Sequence, residues 1–438
     1  MESDIWEKIQ KGGRLDLDDV RTLWASPDIV GLGWMADQVK RRRYGNQAFY
    51  VINQKIEPTN VCVLSCTFCD FATKRNRPDA YEMTLSEMVQ RCAAGVREIH
   101  ISGGMPPEWT FDHYLEIVRA LRQACPEAGI KAFTAVEIEW MARISRQSIE
   151  TVLWRLKEAG LTALPGGGAE VFSERVRQAL FPFKIGEREW VDVHRRAHRL
   201  GIPSNATLLY GHIETPEERW HHLEVLRNLQ DESLHHTSSP AGSFSSSPAG
   251  SGGGSMDSPP VAGGNDGIET EGNDDTKAGF MSFVPLAYQP GPSGLTTQPS
   301  SLLDDLKMLA IARLYLDNFP HIKAYWVTMG EQAASVALHF GADDVDGTIG
   351  EERIMHAAGV SSPSGLLRDK VEDLIRDAGC IPVERDALYK VVAYSSDILP
   401  LPVEGEGWGE GKGKGKGKAA DTPSSGLRPP SPSAGRRG

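Results

Sequence analysis

The segment Cys62-Val-Leu-Ser-Cys66-Thr-Phe68-Cys69 decides how the rest of the chain is interpreted. Its three thiols, spaced four and three residues apart, can converge on one iron–sulfur cluster only if the segment forms a loop around that cluster. A fourth cysteine is missing locally, so a cluster held here keeps one iron open to an outside ligand, as a catalytic cluster requires. A zinc knuckle or an incidental group of thiols is the alternative, although zinc sites favour two C-x-x-C pairs or added histidines.

Length and composition favour an enzyme with a large core. The chain has 438 residues, 40% of them hydrophobic, which is enough for one large barrel or two ordinary domains. Its formal net charge of −12 argues against a nucleic-acid-binding surface. The other cysteines, Cys92, Cys125 and Cys380, are scattered, so we expect a reducing, cytoplasmic compartment and no disulfide framework. We expect no secretory signal, because the N-terminus has no basic start followed by an apolar run, and no membrane span, because no apolar run reaches about 18 residues.

Short β-rich runs alternate with helical patterns from Tyr50 onward. Eight such alternations predict an α/β fold, a TIM-like (β/α) barrel, rather than an open sheet. The predicted strands lie near residues 51–56, 98–102, 131–135, 162–164, 204–209, 281–286, 322–327 and 343–348. The helical patterns between them include residues 85–94, 111–124, 149–159, 190–200 and 216–229.

The segments outside this alternation set the predicted domain boundaries. An amphipathic stripe of Leu15, Leu17, Val20, Leu23 and Trp24 indicates helices near the N-terminus. Ser, Gly, Pro and Asp dominate residues 233–276, which we predict to be a disordered insertion. The predicted regions are a helical extension (1–50), the barrel (51–348), a C-terminal cap segment (349–403) and a disordered tail (404–438).

Two polar patterns have a structural explanation. Thr84-x-x-Glu87 and Thr215-x-x-Glu218 match capping boxes, in which both side chains satisfy backbone groups at a helix start. These four residues are therefore expected to cap helices.

Two histidines one helical turn apart, His194 and His198, can form a zinc pair. No glutamate-bearing zinc-protease pattern accompanies them, and Arg195, Arg196 and Arg199 surround them. We therefore expect a polar helix face rather than a metal site.

In a barrel the reactive groups lie at the carboxyl ends of the strands. Gly103 and Gly104 follow the second strand, where two glycines let the backbone approach a ligand closely. The third strand is predicted to run toward Glu137, and the fourth ends in Gly166-Gly167-Gly168 followed by Glu170. Backbone donors of the triple glycine, placed just before a helix start, can hold an anion or a ribose. The alternative is a flexible loop with a helix-capping acid.

The fifth strand carries polar residues and leads to a histidine. Alternation places Asn205, Thr207 and Leu209 on one face of this strand, and leaves open which face points inward. His212 follows at the strand end, next to Gly211, and is a candidate functional residue.

Longer phrases resemble those of the aminodeoxyfutalosine synthases, a family of radical S-adenosylmethionine (SAM) enzymes of the futalosine route to menaquinone. The cysteine loop itself resembles the radical SAM signature, and the resemblance covers about residues 45–400 apart from the insertion. The phrases are Lys131-Ala-Phe-Thr-Ala-Val-Glu-Ile138, Leu164-Pro-Gly-Gly-Gly-Ala-Glu170, Asn205-Ala-Thr-Leu-Leu-Tyr-Gly-His-Ile-Glu-Thr-Pro-Glu-Glu-Arg219, His321-Ile-Lys-Ala-Tyr-Trp326 and Gly341-Ala-Asp-Asp-Val-Asp-Gly-Thr348.

The resemblance implies a 4Fe–4S cluster on the three thiols and SAM as a consumed co-substrate. It implies Phe68 near the adenine and the glycines after strand two at the methionine amino group. The residues expected to bind SAM are Phe68, Gly103, Gly104, Glu137, Gly166, Gly167 and Glu170. The predicted catalytic residues, as donors to the substrate carboxylates, are His212, Asn205 and Arg177.

The resemblance also implies the reaction. The adenosyl radical adds to the enolpyruvyl double bond of 3-[(1-carboxyvinyl)oxy]benzoate, and 6-amino-6-deoxyfutalosine, bicarbonate and methionine follow. Flavodoxin or ferredoxin is the expected kind of electron donor. The alternatives are the pathway's cyclase, cyclic dehypoxanthine futalosine synthase, then the deazaflavin cofactor synthases, and outside enzymes a non-catalytic iron–sulfur or zinc protein. The sibling cyclases typically carry a Ser-Pro-Pro-Glu-like phrase where this chain has Thr134-Ala-Val-Glu137, which favours the synthase.

Overall fold

In the computed structural model, which describes residues 2–236 and 278–394, strands and helices alternate from Gln47 onward. The strands are β1 (Gln47–Val51), β2 (Asn53–Ile56), β3 (Glu98–Ile101), β4 (Gly129–Ala132), β5 (Ser204–Tyr210), β6 (Phe280–Ala287), β7 (His321–Ile322), β8 (Asp344–Gly347), β9 (Ile381–Arg385) and β10 (Val391–Tyr394). These residues belong to one compact unit, Met1–Ser396, and a second unit, Asp397–Gly438, lies outside the described residues.

The helices precede and connect these strands. They are α1 (Glu2–Gln10), α2 (Leu17–Ala25), α3 (Ile29–Tyr44), α4 (Leu85–Gln90), α5 (Phe111–Ala124), α6 (Ala135–Ser145), α7 (Ile149–Ala159), α8 (Glu174–Leu180), α9 (Glu187–Arg199), α10 (Pro216–His236), α11 (Leu302–Tyr315), α12 (Trp326–Met329), α13 (Glu331–Ala337), α14 (Ile354–Ala357) and α15 (Arg368–Asp377). Leu15, Val20 and Leu23 are buried at the N-terminal helices, as their stripe predicts.

The parallel strand pairings follow one another around a ring. β1 runs into β2, which pairs with β3, and β3 pairs with β4. Single bridges, Lys131 to Ala163 and Leu164 to Ser204, lead from β4 through the 163–164 segment to β5. β5 pairs with β6, β6 with β7, and a bridge between Lys323 and Asp344 leads to β8, which pairs with β1. This succession is that of a (β/α) barrel.

The C-terminal strands add to this sheet on one side. β9 pairs in parallel with β1, in the register Gln47 to Ile381 through Val51 to Arg385. β10 pairs with β9 in antiparallel direction. Part of the segment predicted as a C-terminal cap therefore extends the sheet beside the first strand, while the predicted domain boundaries stay predictions.

Residues alternate along the strands between an apolar outer face and a polar inner face. Ile99 and Ile101 of β3 are fully buried in the main hydrophobic core, whereas Glu98 and His100 lie on the opposite face. Buried ion pairs fill the inner face: Lys131 with Glu98 at 2.7 Å, Lys323 with Asp346 at 2.8 Å and Arg385 with Asp344 at 2.7 Å. Since buried charges are tolerated only when paired, these pairs form the floor on which the site rests.

Two predicted strands are wrong because they end earlier in the structure than the sequence indicates. β4 stops at Ala132, because Thr134 is the N-cap of α6 and forms a capping box with Glu137. β7 covers only His321–Ile322, and Trp326 already begins α12. The same capping signal confirms the predicted box at Thr84, where both reciprocal hydrogen bonds are present.

Helix α10 continues to His236, so residues 233–236 of the predicted insertion are helical. The rest of the predicted insertion, residues 237–276, and the whole predicted tail lie outside the described residues. None of the helices in the two described ranges combines the length and the hydropathy of a membrane span. All six cysteines are free thiols in the structure.

Candidate active site

A cavity of about 280 Å³ opens at the carboxyl ends of the barrel strands. It brings together most of the residues that the sequence singles out. Those in its wall are Cys62, Cys66, Phe68, Cys69, Gly103, Gly104, Glu137, Gly167 and Glu170. Gly166, Arg177, Asn205 and His212 are not part of this wall.

Backbone hydrogen bonds and one lysine shape the cysteine loop. The Cys62 N–H donates to the Thr73 carbonyl at 3.0 Å, and the Cys69 N–H donates to the Cys66 carbonyl at 3.2 Å. Lys74 Nζ donates to the carbonyls of residues 62, 63 and 64 at 2.8, 3.1 and 2.8 Å. The loop therefore keeps its curvature through its own backbone and Lys74, which the sequence analysis did not single out.

The three thiols fit an iron–sulfur cluster by their chemistry and their shared cavity wall. Cys62 is buried, and Cys66 and Cys69 are half-buried. Burial raises the pKa of the Cys66 thiol to about 11 and also raises the pKa of Cys69, so protons must leave when a metal binds. Within residues 2–236 and 278–394, no three His, Cys, Asp or Glu side chains stand in an arrangement for a metal ion. Three thiols in one loop that line one cavity are a donor set typical of a cluster-binding loop.

The glycine pair after β3 packs directly against the cysteine loop. The Gly104 N–H donates to the Thr59 carbonyl at 2.8 Å, and the Val63 N–H donates to the Met105 carbonyl at 3.0 Å. A Cβ atom at position 104 would overlap the Val61 backbone. Glycine is therefore required here for close backbone approach to the cysteine loop.

Glu137 joins the glycine pair to the start of α6. Its Oε2 accepts hydrogen bonds from the Thr134 N–H at 2.7 Å and the Thr134 hydroxyl at 2.8 Å. Burial raises the pKa of Glu137 to about 7, although hydrogen bonds from Thr134 and from the Gly103 backbone oppose that rise. The carboxyl group thus has a capping role and also faces the cavity.

Glu170 and Lys184 form an ion pair in the cavity wall beside the cysteine loop. Lys184 Nζ lies 5.4 Å from the ring centroid of Phe68 and 5.6 Å from that of Phe181. Burial alone would lower the pKa of Lys184, but the charge of Glu170 and the nearby thiols raise it. Lys184 therefore keeps a positive charge close to Phe68 and the thiol end of the cavity.

The triple glycine adopts backbone angles that favour glycine, and no helix begins directly after it. Gly166 and Gly168 have φ of +80° and +92°, which favour glycine. The following helix, α8, begins later and is capped by Ser173, so Glu170 is not its capping acid. The prediction of a helix directly after the glycines is wrong for this reason.

The face of β5 that points inward is settled by the cavity. Thr207 and Leu209 line it, so Asn205 lies on the same inward face, one step deeper. Asn205 is buried, and its Oδ1 has no hydrogen-bond partner among the described residues. It lies below the cavity wall rather than in it.

His212 lies at the end of β5 and bonds to its own loop. Its Nε2 lies 3.1 Å from the Leu209 carbonyl, and its Nδ1 accepts from the Ile213 N–H at 2.7 Å. Burial lowers the pKa of His212, although Glu214 opposes this effect. The neutral ring therefore organises the loop after β5.

Arg177 lies on α8 and bonds to its neighbours there. It pairs with Glu174 at 2.7 Å and donates to the carbonyls of Pro182 at 2.8 Å and Lys184 at 3.2 Å. It lines a separate cavity of about 90 Å³. Its link to the site runs through the backbone of Lys184.

His194 and His198 contradict the expected polar helix face, because both are buried. Each ring shares the Ser204 hydroxyl, at 3.0 and 2.9 Å, and His198 also contacts the Ser233 hydroxyl at 2.7 Å. These contacts join α9 to β5 and α10. The two histidines therefore have a structural role.

The cavity residues that the sequence does not single out include Lys184, already described, and also Lys55 of β2 and His100 of β3. Lys55 and His100 belong to the strands themselves. They face each other directly in the register of these strands. Strand alternation was the available signal, since Ile99 and Ile101 flank His100 and occupy the outer face.

Family models match two parts of the chain. The radical SAM superfamily matches residues 56–226, and the CofH/MqnC C-terminal region matches residues 277–398. The structure of methylornithine synthase resembles this fold with a TM-score of 0.62 at 17% identity, covering 86% of this chain and 97% of that one. The fold is therefore the barrel of the radical SAM type.

Relatives that match nearly the whole chain identify the family within this superfamily. The aminodeoxyfutalosine synthase of Thermus thermophilus is 41% identical over 397 residues, which cover 89% of this chain and 95% of that protein. The cyclic dehypoxanthine futalosine synthase of Streptomyces coelicolor is 32% identical, covering 90% of this chain and 89% of that protein. Given the higher identity over nearly the whole length, the chain belongs to the aminodeoxyfutalosine synthase family of the radical SAM superfamily.

Proposed function

We propose that this enzyme transfers the adenosyl group of SAM to 3-[(1-carboxyvinyl)oxy]benzoate. One water molecule is consumed as well, and the products are 6-amino-6-deoxyfutalosine, bicarbonate, methionine and a proton, so SAM is consumed. Two observations support this proposal. The chain is 41% identical to a synthase over 95% of that relative's length, and one cavity gathers the three thiols and the predicted SAM contacts other than Gly166.

The thiols of Cys62, Cys66 and Cys69 would hold the 4Fe–4S cluster. When bound, the cluster supplies the electron that cleaves SAM into methionine and the adenosyl radical. The loop around these thiols keeps its shape through Lys74 and the backbone contacts to the glycine pair. This chain would thereby supply three thiolate ligands to the cluster, and SAM would bind the iron that they leave open.

SAM would occupy the thiol end of the cavity. Phe68 offers a ring beside the adenine, and Gly103 and Gly104 leave room for the methionine amino group. The carboxyl of Glu137 and the backbone of Gly167 provide acceptors and donors for the ribose, while Lys184 keeps Glu170 neutralised in the wall. These residues bind and orient SAM and perform no proton transfer.

The remaining wall would exclude water from the reacting carbon atoms. Met105, Val136, Leu209, Leu286 and Met355 give this part of the cavity an apolar lining. An adenosyl radical must meet its acceptor before any other group, so a dry and closely fitting site matters more than acid–base groups. The catalytic roles of Asn205, His212 and Arg177 stay predictions, as does a flavodoxin or ferredoxin partner.

Anaerobic turnover tests the proposal. Reconstituted protein is supplied with dithionite, SAM and the enolpyruvyl benzoate, and products are read by mass spectrometry. We expect 6-amino-6-deoxyfutalosine with wild-type protein and none with Cys66→Ala. Formation of 5′-deoxyadenosine alone, with no adduct from the enolpyruvyl benzoate, would contradict the proposal and favour the cyclase.

A further inference from the structure

Lys55 and His100 lie deep in the cavity, on strands rather than on loops. Both line the cavity, and they are direct neighbours in the parallel register of β2 and β3. The thiol loop and the glycine pair come after these strands end. Since a strand rises about 3.3 Å per residue, His100 lies about 7 Å below Ser102, toward the floor of the barrel.

His100 has hydrogen-bonding capacity that the protein does not use. Its ring makes no hydrogen bond to any residue in the described ranges, although it sits beside the buried ion pairs of the floor. Burial, and then the charge of Lys55, lower the pKa of His100 to about 3, so the ring is neutral and keeps one N–H donor.

Among the described residues, Lys55 uses two of its three hydrogen-bond donors. Its Nζ donates to the Tyr325 hydroxyl at 2.9 Å and to Glu352 at 3.2 Å, and an ammonium group has three donors. The other lysine of the cavity wall, Lys184, is paired with Glu170 at the thiol end. Lys55 is therefore the cation of this wall that lies away from the thiols.

The carboxyl groups of Glu352 and Glu57 also interact electrostatically with the ammonium group of Lys55. Glu352 remains charged and neutralises the ammonium in part, since Lys55 among other groups keeps its pKa low. Burial raises the pKa of Glu57 to about 7, which reduces the negative charge beside Lys55. An added carboxylate would thus be held by hydrogen bonds from His100 and the third Lys55 donor, in a site that is not strongly anionic.

We propose that His100 and Lys55 bind the benzoate carboxylate of the substrate at the floor of the cavity. This inference rests on the proposed function. The vinyl carbon must face the thiol end, where the adenosyl radical is formed, and the enolpyruvyl carboxylate is attached beside that carbon. The benzoate carboxylate is at the other end of the molecule and therefore reaches the floor. His100 and Lys55 position the substrate and take no part in bond formation.

The test compares the substrate with 2-phenoxyacrylate, which lacks only the benzoate carboxylate. Calorimetry measures the Kd of each compound on reconstituted protein with SAM, so the result does not depend on turnover. Loss of a hydrogen bond to a charged group predicts a Kd about 10- to 100-fold higher for the substrate with His100→Leu. The Kd of 2-phenoxyacrylate should not change. His339→Leu, an exposed histidine, is the control and should alter neither value.

A second variant separates binding from folding. His100→Gln retains a donor and should recover part of the affinity for the substrate, and its thermal midpoint shows that the barrel is intact. Equal changes for both compounds, or no change for either, would overturn the assignment. If wild-type protein binds both compounds as expected but forms no adduct, the proposed reaction fails while this binding site stands.

Discussion

Lys184 of the loop before α9 and Glu170 of the loop after the triple glycine form a nearly buried ion pair, with side chains 9% and 14% exposed. The same ammonium lies over the ring of Phe68, which belongs to the cysteine loop. Three loops of the candidate site are therefore joined by one cation. Removing one member of such a pair leaves an uncompensated charge in a poorly hydrated place.

Lys184→Met is expected to lower the free energy of unfolding by about 3–5 kcal/mol, because Glu170 is left buried and unpaired. The double variant Lys184→Met with Glu170→Gln should recover part of this loss. Chemical denaturation of the protein without metal measures both. Lys11→Met, which removes an exposed pair with Glu7, is the control and should cost much less. A loss with Lys184→Met no larger than that of the control would contradict the role of the pair.

Gly104→Ala is expected to lower both stability and iron content after reconstitution. The added Cβ overlaps the Val61 backbone, so the cysteine loop must move, at a cost of about 1–3 kcal/mol. Iron analysis and thermal unfolding are the measurements. Gly186→Ala is a matched control, because Gly186 has φ of −90° and its nearest side-chain atom would lie 3.3 Å away. Normal iron content in Gly104→Ala would show that the loop does not depend on this contact.

Cys66→Ala is expected to abolish cluster incorporation, and Cys92→Ala to leave it intact. Cys66 lines the cavity, whereas Cys92 packs against the hydrophobic core away from it. The measurement is iron per chain, expected at about four in wild-type protein and in Cys92→Ala. Equal iron content in the two variants would exclude Cys66 as a ligand.

Glu137 predicts a pH dependence of SAM binding. With a pKa of about 7, raised by burial, the group is mostly a carboxylate at pH 8 and mostly protonated at pH 6. A carboxylate accepts hydrogen bonds from ribose hydroxyls more strongly than a protonated acid does. Affinity should therefore fall as the pH decreases from 8 to 6, by up to about 10-fold.

Glu137→Gln supplies the comparison for this titration. The amide cannot ionise, so the SAM affinity of this variant should be nearly flat between pH 6 and 8. Glu139→Gln, on the same helix and paired with Arg143, should retain the wild-type dependence. A dependence in Glu137→Gln as steep as in wild-type protein would assign the titration to another group.

Local motifs explain what the sequence could predict. The thiols, Phe68 and the glycine pair lie in short segments whose spacing reflects backbone geometry, and the structure places all of them in one cavity. Lys55, His100 and Lys184 carry no such local signature. The pairing of β2 with β3 and the loop before α9 bring them to the site.

The errors have similar physical causes. The polar interpretation of His194 and His198 followed from their arginine neighbours, but helix periodicity turns the two rings inward while the arginines face outward. The predicted third strand, which corresponds to β4, extends too far because the apolar residues at the start of α6 resemble those of the strand. The capping box of Thr134 and Glu137 was the signal that ended the strand.

The most direct test of the central claim follows the adenosyl carbons. SAM labelled with ¹³C in its ribose is mixed anaerobically with the reduced, reconstituted enzyme and the enolpyruvyl benzoate, and the label is quantified by mass spectrometry. We predict that the label appears in 6-amino-6-deoxyfutalosine, with about one methionine released per adduct. Label found only in 5′-deoxyadenosine, with no labelled adduct, would contradict the claim that this enzyme adds the adenosyl group to its substrate.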